Sequence, residues 1–260
     1  MIMEVSESPI TFPQLKKWNT IMAAAHGIQG TVMLLLAFIV DEYENFTFTL
    51  TTNNTSFAQR ETFELEYGGV LVASFLLMSS LAHFLIAFPL YERYTQNLER
   101  KMNPFRWFEY ALSSSVMVIL IAMLFGVLDV WTLIIVFFAN AAMNLFGYSM
   151  ELQNQNSSEV NWMNYIFGWF IGLAPWIIIS AYYFDISSAL PDDLDWVPFV
   201  YVAMIIAFMS FAVNMGLQYA KVGPWVDYLY GERMYQILSL VAKTFMAWYV
   251  FFGVFTAATF

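Results

Sequence analysis

Lys243 lies in the middle of the last hydrophobic stretch of the chain, within VAKTFMAW. A charged side chain at the depth of a bilayer is costly and generally serves a function, with a partner nearby. A desolvated lysine amine is also the group that condenses with an aldehyde to give an imine. A protonated imine in an apolar site needs an anion at close range, or it loses its proton. Lys243 therefore raises the possibility of imine chemistry, if a carboxylate lies at the same depth.

Helical rise predicts which side chains share that depth. Lys243 lies roughly 16 Å into the last helix, and its amine leans back to roughly 10 Å because helical side chains point toward the N-terminus. Glu109 falls roughly 6–8 Å into the third helix, which starts on the same side. Ser239 and Ser113 lie one turn from Lys243 and Glu109, on the same faces. We therefore predict that Glu109 is the partner of Lys243, with both serines close by.

Two histidines fall at the same level on the first two helices. His26 lies at roughly 12 Å and His83 at roughly 10 Å, with Gln29 and Ser79 at helical spacing from them. We predict that His26 and His83 share one slab of the membrane with Lys243 and Glu109, with Ser79 and Gln29 flanking the histidines. The alternatives stay open: the histidines could be packing residues, and the serines could bond the carbonyl one turn back. Lys243 and Glu109 could also form a purely structural ion pair, or Glu109 could pair with Arg106.

An aldehyde bound at Lys243 would be long and apolar, because the surrounding helices are apolar. Gly147 and Gly172 are small positions where a bulky guest could fit. The alternative is that the surrounding residues form ordinary core. The candidate pocket walls are Met117, Met143, Gly147, Pro175, Trp176 and Phe208.

The elements that must position these residues are transmembrane helices. The chain of 260 residues is 60% hydrophobic and 12% charged, whereas about a quarter of the residues in a soluble domain are charged. About 20 apolar residues suffice to cross a bilayer as a helix. We predict an all-α membrane protein of one domain, residues 1–260, with a seven-transmembrane-helix bundle and no soluble domain. The predicted helices span residues 18–40, 67–90, 105–128, 130–149, 162–184, 196–220 and 232–258.

Basic residues indicate the orientation of these helices. Eight of them would lie on one side of the membrane, before helix 1 and in the loops between helices 2 and 3 and between helices 6 and 7, whereas the other side carries Arg60 and many acidic residues. Cytoplasmic loops carry an excess of Lys and Arg. We therefore predict a multi-pass protein of the cell membrane with a cytoplasmic N-terminus and an extracellular C-terminus.

The first extracellular loop, residues 41–66, is long and has an internal pattern. Its centre, FTFTLTTNNTSF, alternates apolar and polar residues around Asn53 and Asn54. Such alternation around a turn dipeptide predicts a β-hairpin, although an unstructured acidic loop is the alternative. The apolar face of a hairpin would have to cover either the helix ends or a second copy of the protein.

Composition also excludes several classes of function. The chain has no cysteine and two histidines, so we predict no metal site. Its N-terminus lacks the pattern of a signal peptide, so we expect the first helix to remain in the mature protein. The loops resemble no catalytic domain, so we do not expect an enzyme, and we expect no nucleic-acid partner.

Seven helices with a lysine in the last and a carboxylate in the third resemble the retinal-binding microbial rhodopsins. More narrowly, FRWFEYALSSSVM around Glu109 and YGERMYQILSLVAKTFMAW around Lys243 resemble helices 3 and 7 of the heliorhodopsins. AAHGIQG, SSLAHF and FANAAMNLFG are similar to further motifs of that family. The predicted cytoplasmic N-terminus is also inverted relative to ordinary microbial rhodopsins. The resemblance covers essentially the whole chain.

This resemblance implies a cofactor and roles for the residues above. It implies all-trans retinal on Lys243 as a protonated Schiff base, with Glu109 as counterion and with Ser239 and Ser113 bonding around the pair. It implies a cytoplasmic-side polar cavity that contains His26 and His83. It also implies a homodimer helped by the hairpin, with Asp129 and Tyr182 near the contact.

Two departures from the pattern of ordinary proton pumps bear on function. Such pumps have a carboxylate four residues before the lysine, where this chain has Ser239, and a carboxyl proton donor eleven residues after the counterion, where it has Leu120. We therefore favour a photoreceptor without net pumping that signals to a cytoplasmic partner. The alternatives are a light-driven or light-gated proton or ion transporter on the same scaffold and a light-independent protein that uses Lys243 as a nucleophile.

Overall fold

The computed structural model describes residues 8–40, 47–53, 60–66, 68–187, 194 and 196–258. These residues form eight α-helices and one two-stranded sheet. The helices are α1 (Phe12–Ile39), α2 (Gly68–Ala87), α3 (Tyr91–Glu99), α4 (Pro104–Leu124), α5 (Val130–Asn154), α6 (Met163–Ser187), α7 (Val197–Tyr219) and α8 (Tyr228–Ala258). The strands are β1 (Phe48–Asn53) and β2 (Arg60–Leu65), and a short 3₁₀ turn spans Gly223–Val226.

Six of these helices, α1, α2 and α4 to α7, are long and apolar enough to cross a membrane. Their outward faces carry large apolar side chains, for example Phe170, which is 81% exposed, and Ile39, which is 71% exposed. A face of this kind is stable against lipid rather than water. The chain is therefore a multi-pass membrane protein. The last helix, α8, is 31 residues long but is not one of those six.

The long helices pack against their neighbours in chain order, and α8 packs against α7, α1 and α2. Because successive long helices run in opposite directions, their ends gather in two groups, one at each end of the bundle. The end with the starts of α1, α4, α6 and α8 also carries α3 and the residues Lys16, Arg93, Lys101 and Lys221, and we call it the basic end. The opposite end carries the sheet, and we call it the hairpin end.

Several helix ends differ from the sequence predictions for local reasons. Helix α1 starts at Phe12 rather than 18, because Thr11 and Gln14 form a reciprocal capping box ahead of the apolar run. Helix α4 ends at Leu124 rather than 128, and a turn with Gly126 at φ +91° leads to Asp129, whose carboxylate caps α5. Helix α5 continues to Asn154 instead of ending at 149, and α8 starts at Tyr228 instead of 232.

Helix α3 is absent from the sequence predictions, which extend the second helix to residue 90. Helix α2 ends at Ala87, and the chain turns before α3 begins. Tyr94 and Leu98, four residues apart, are the buried residues of α3 and pack with Leu15 and Ile86. The hydrophobic face of α3 is too narrow to stand out in a hydropathy profile, because its remaining residues are polar.

The predicted hairpin is present, but its second strand lies further along the chain. Strands β1 and β2 pair antiparallel, with Phe48 opposite Leu65 and Thr51 opposite Thr62. The predicted turn at Asn53 and Asn54 runs into residues 54–59, which lie outside the described residues. Phe48 and Leu50 are buried in the main apolar cluster, and the backbone N–H of Thr51 donates to the carbonyl of Leu128 at 2.8 Å. The hairpin therefore covers the helix ends.

Candidate functional site

Lys243 lies inside the bundle, with 3% of its side chain exposed, and it contacts three hydroxyl or carboxylate groups. Its Nζ donates to Glu109 Oε1 at 2.6 Å and to Ser113 Oγ at 2.8 Å, and it also donates to Ser79 Oγ. Helix α8 supplies the lysine, α4 supplies Glu109 and Ser113, and α2 supplies Ser79. An unpaired charge at this depth would be very costly, so the lysine and the carboxylate depend on each other.

Glu109 Oε1 is the centre of this group. It accepts hydrogen bonds from Ser79 Oγ at 2.5 Å and from Ser113 Oγ at 2.6 Å, in addition to the lysine. Both hydroxyls lie against the same carboxylate oxygen and therefore hold it against the lysine. Ser79, which the sequence predicts to flank the histidines, contacts this carboxylate from α2. The ring of Tyr110 flanks the group, with its centroid 5.3 Å from Nζ.

Ser239 lies one turn before Lys243 and is fully buried. The structure thus brings Ser113 to the lysine, whereas Ser239 lies beside the phenol of Tyr110.

The two histidines are stacked next to this group. The rings of His26 and His83 have centroids 5.8 Å apart and planes 18° apart. Asn19 Nδ2 donates to the carbonyl of Leu15, so its Oδ1 faces His83 Nδ1 at 2.7 Å. An amide oxygen only accepts, so Nδ1 of His83 carries a hydrogen and Nε2 of the neutral ring can accept a proton. Neither ring nitrogen of His26 has a partner among the described residues.

A small polar cavity joins Glu109 to His83. It extends toward the basic end, where Asn19, Arg106, Glu232 and other polar side chains line it. Gln29 does not belong to this cavity. Its Oε1 accepts from Trp248 Nε1 at 3.0 Å, and its Nε2 donates to the carbonyl of Ala25 at 3.2 Å. Gln29 thus contacts Trp248 of α8.

An apolar cleft lies between α4, α5, α6 and α7. Four predicted wall residues line it, namely Met143, Gly147, Trp176 and Phe208, and so does Gly172. Tyr110 lines this cleft as well as flanking Lys243, so it connects the two. The other two predicted wall residues do not line the cleft: Met117 lies in the main apolar cluster, and Pro175 is buried within α6.

Gly147 and Gly172, two of the three glycines that line the cleft, leave space that neighbouring side chains use. A Cβ added at Gly172 would lie 2.4 Å from Met143 Sδ, and one added at Gly147 would lie 2.4 Å from the ring of Trp107. Methionine is unbranched and adapts its shape readily. An elongated apolar guest could therefore enter the space by Gly172 when Met143 changes its rotamer.

A second buried ionic group was not predicted. Arg106 donates to Glu151 and to Glu232, and all three side chains are at most 4% exposed. Its guanidinium also stacks 3.9 Å from the ring centroid of Tyr235. Asn103 Nδ2 and the phenol of Tyr94 donate to Glu232 at 2.8 and 3.1 Å. Burial, followed by the charge of Glu232, raises the pKa of Tyr94, so its phenol is a neutral donor.

The predicted helix ends explain why Glu151 and Glu232 were overlooked. Residue 151 lay beyond the predicted end of the fourth helix at 149, and residue 232 stood at the predicted start of the seventh. The signal was present, because Glu151 continues the spacing of Asn140, Asn144 and Gly147 along one face of a helix. Extending the helix by one turn would have placed this carboxylate inside the bundle.

The buried lysine–carboxylate pair and the adjoining apolar cleft within a helical membrane protein are typical of the retinal-binding rhodopsins. The heliorhodopsin family profile matches residues 15–255, nearly the whole chain. The chain belongs to the heliorhodopsin family, and the resemblance in its motifs is thereby confirmed. It is accordingly a retinal-binding rhodopsin. No curated protein matches the chain.

The Arg106 group generates a stability prediction. Arg106→Gln leaves two buried carboxylates facing each other and should cost about 3–5 kcal/mol. Glu232→Gln loses one charge-assisted hydrogen bond but leaves one carboxylate for one guanidinium, so we expect a smaller loss of about 1.5–3 kcal/mol. Unfolding in mixed detergent micelles measures both losses, with the exposed Arg93→Gln as control. Equal losses from the two buried variants would contradict this charge assignment.

Proposed function

We propose that this heliorhodopsin is a light-sensing receptor without net ion pumping. In this proposal all-trans retinal is linked to Lys243 as a protonated Schiff base, and Glu109 is its counterion. Bound retinal supplies the absorption of light and an isomerisation that moves the linked nitrogen. The chain's own residues hold the charge at that nitrogen, shape the apolar cleft and accept its proton.

The Lys243–Glu109 contact supports the assignment of the counterion. The carboxylate lies 2.6 Å from Nζ and is held by two hydroxyls, so it could stabilise a positive nitrogen at the same place. The apolar cleft lined by Trp176, Phe208 and Tyr110 suits a long conjugated hydrocarbon. The neutral ring of His83 supports a role as proton acceptor, because its Nε2 is not used by Asn19.

The distribution of buried polar groups is the main support for the proposal that no net pumping occurs. Among the described residues, tyrosines apart, the buried polar side chains all lie between the basic end and the level of Lys243. Toward the hairpin end the interior is one apolar cluster that includes Leu120, at the position of the donor carboxyl in ordinary pumps. A proton that leaves the nitrogen has buried carboxylate, imidazole and hydroxyl groups on the basic side, whereas on the hairpin side it faces the apolar cluster, apart from polar pairs such as Ser180 with Tyr201. It is therefore expected to return by the same side.

The proposal includes the topology and the partners. The chain crosses the membrane seven times with α8 as the seventh span, and the basic end is cytoplasmic because it carries most of the Lys and Arg. The polar cavity then opens toward the cytoplasm, where a signalling partner would bind. We also propose a homodimer near the hairpin. Tyr182, which is 38% exposed, supports a contact there, and Asp129 caps α5 close to the hairpin.

Reconstitution with all-trans retinal tests the cofactor assignment. The purified chain should develop a visible absorption band, because a protonated imine absorbs at longer wavelength than free retinal. Lys243→Ala should abolish the band, whereas the exposed Lys17→Ala should retain it. Absence of a band with the intact chain, or a band that survives Lys243→Ala, would refute the linkage.

Illumination of sealed vesicles tests the absence of pumping. With retinal-loaded protein oriented in one direction, the external pH should show at most a transient change that reverses in the dark. A protonophore and the Lys243→Ala variant provide the controls. A sustained, retinal-dependent pH change or current would instead establish the alternative, a light-driven or light-gated transporter.

A further inference from the structure

A polar cleft opens at the basic end, separate from the lysine site. It lies between the turns that follow α3, α5 and α7. Two lysines, Lys101 and Lys221, line it together with Gln155, Ser158, Trp225 and Tyr228. None of these residues contributes to the function proposed above, so the cleft requires an explanation of its own.

The two lysines share an unusual backbone conformation. Lys101 has φ 56° and Lys221 has φ 54°, and no other non-glycine residue in the described ranges has a positive φ. Each follows the end of a helix. The N–H of Lys101 donates to Leu98 O and the next N–H donates to Asn97 O, while Lys221 repeats the pattern with Gln218 O and Leu217 O. These are Schellman motifs, in which glycine is the usual residue at the left-handed position.

The Cβ of lysine disfavours the left-handed conformation. The need to terminate a helix therefore does not explain why a lysine occupies each of these positions. Two helices that are distant in sequence place a strained lysine at the rim of the same cleft. The observation common to both positions is that each lysine lines this cleft. We take this as evidence that their ammonium groups bind a ligand in the cleft.

Neither ammonium is neutralised by a residue that the structure describes. In the part of the chain that the structure describes, Lys101 and Lys221 have no ion pair and no side-chain hydrogen bond, whereas Lys16 lies 4.5 Å from the ring centroid of Tyr91. The carboxylate in the cleft, Glu151, is already engaged by Arg106 and accepts from Tyr228 at 3.2 Å. The two positive charges at the rim therefore remain available to an anion.

The charges also indicate where an anion would lie. The Arg106 group below the cleft has two carboxylates for one guanidinium, so its excess negative charge keeps an anion away from the floor. At the rim, Gln155 directs its amide at the thioether of Met102, which is a weak acceptor. A bound oxygen atom would be a better partner for that amide. Lysine binds phosphate as a point charge, and two lysines match its double charge.

We propose that this cleft binds a phosphate-bearing ligand, with the phosphate held between the ammonium groups of Lys101 and Lys221. The phosphate could belong to a soluble compound or to the headgroup of a lipid in the adjacent leaflet, because the cleft lies at the end of the bundle. The recognition chemistry is the same for both sources.

Glycine substitutions provide a sharp test, because they remove the charge and relieve the backbone. In Lys101→Gly and Lys221→Gly the left-handed conformation is retained without strain, so the melting temperature should be equal to or above that of the unmodified chain. Calorimetric titration of the retinal-loaded protein with inorganic phosphate, at constant ionic strength in a neutral detergent, should show saturable binding. Each substitution should raise the dissociation constant for phosphate about tenfold, because it removes one charge-assisted hydrogen bond. The exposed Lys17→Ala should leave it unchanged.

A second measurement distinguishes the two sources of phosphate. The protein is purified from nanodiscs of phosphatidylcholine with and without phosphatidic acid, and the retained lipid is identified by native mass spectrometry. Phosphatidic acid that is retained by the unmodified chain and lost from the double glycine variant would assign the site to a lipid headgroup. Binding of inorganic phosphate without retained lipid would assign it to a soluble ligand. If neither ligand binds, or if the glycine variants bind as well as the unmodified chain, the proposal is wrong.

Discussion

The ammonium of Lys243 inside an apolar bundle is the constraint on which the rest of the structure depends. It needs a negative charge at close range, and Glu109 provides one at 2.6 Å. That carboxylate in turn needs donors, which Ser79 and Ser113 supply from two helices. Helices α2, α4 and α8 are therefore held together at one level by a group of polar atoms. In an apolar surrounding the alternative to these contacts is an unpaired charge, so the group fixes both the rotation and the depth of three helices.

Below that level the interior holds most of the buried polar side chains, between two smaller apolar clusters, and above it the interior is largely one apolar cluster. On the basic side, the histidine pair and the Arg106 group extend from Glu109 toward the helix ends, and a small cavity connects them. On the hairpin side, residues such as Leu120 and Phe75 close the bundle, and the hairpin covers its end through Leu50. The polar half accommodates changes in protonation, whereas the apolar half does not. This asymmetry is consistent with a receptor that exchanges a proton on one side only.

Much of this arrangement follows from the sequence, because depth along a helix is simple geometry. Counting 1.5 Å per residue places Lys243, Glu109 and Ser113 at compatible levels, and the structure brings them into contact. Counting does not give rotation about the helix axis, so it does not show that Ser79 contacts Glu109 or that Gln29 contacts Trp248. A hydropathy profile ends a helix where charged residues begin, even when these residues are buried and the helix continues. The sequence prediction therefore does not include Glu151 in its helix. The left-handed lysines have no sequence signal, because glycine is the expected residue at such turns.

The most direct test of the Lys243–Glu109 account is the absorption spectrum of the retinal-loaded Glu109→Gln variant. Removing the counterion charge leaves a positive nitrogen without its anion. The band should therefore shift strongly, either because the nitrogen loses its proton or because chloride from the buffer replaces the carboxylate and the spectrum becomes dependent on chloride. The exposed Glu92→Gln should leave the band unchanged. A Glu109→Gln spectrum identical to that of the unmodified protein, and indifferent to chloride, would mean that another group balances the charge on Lys243.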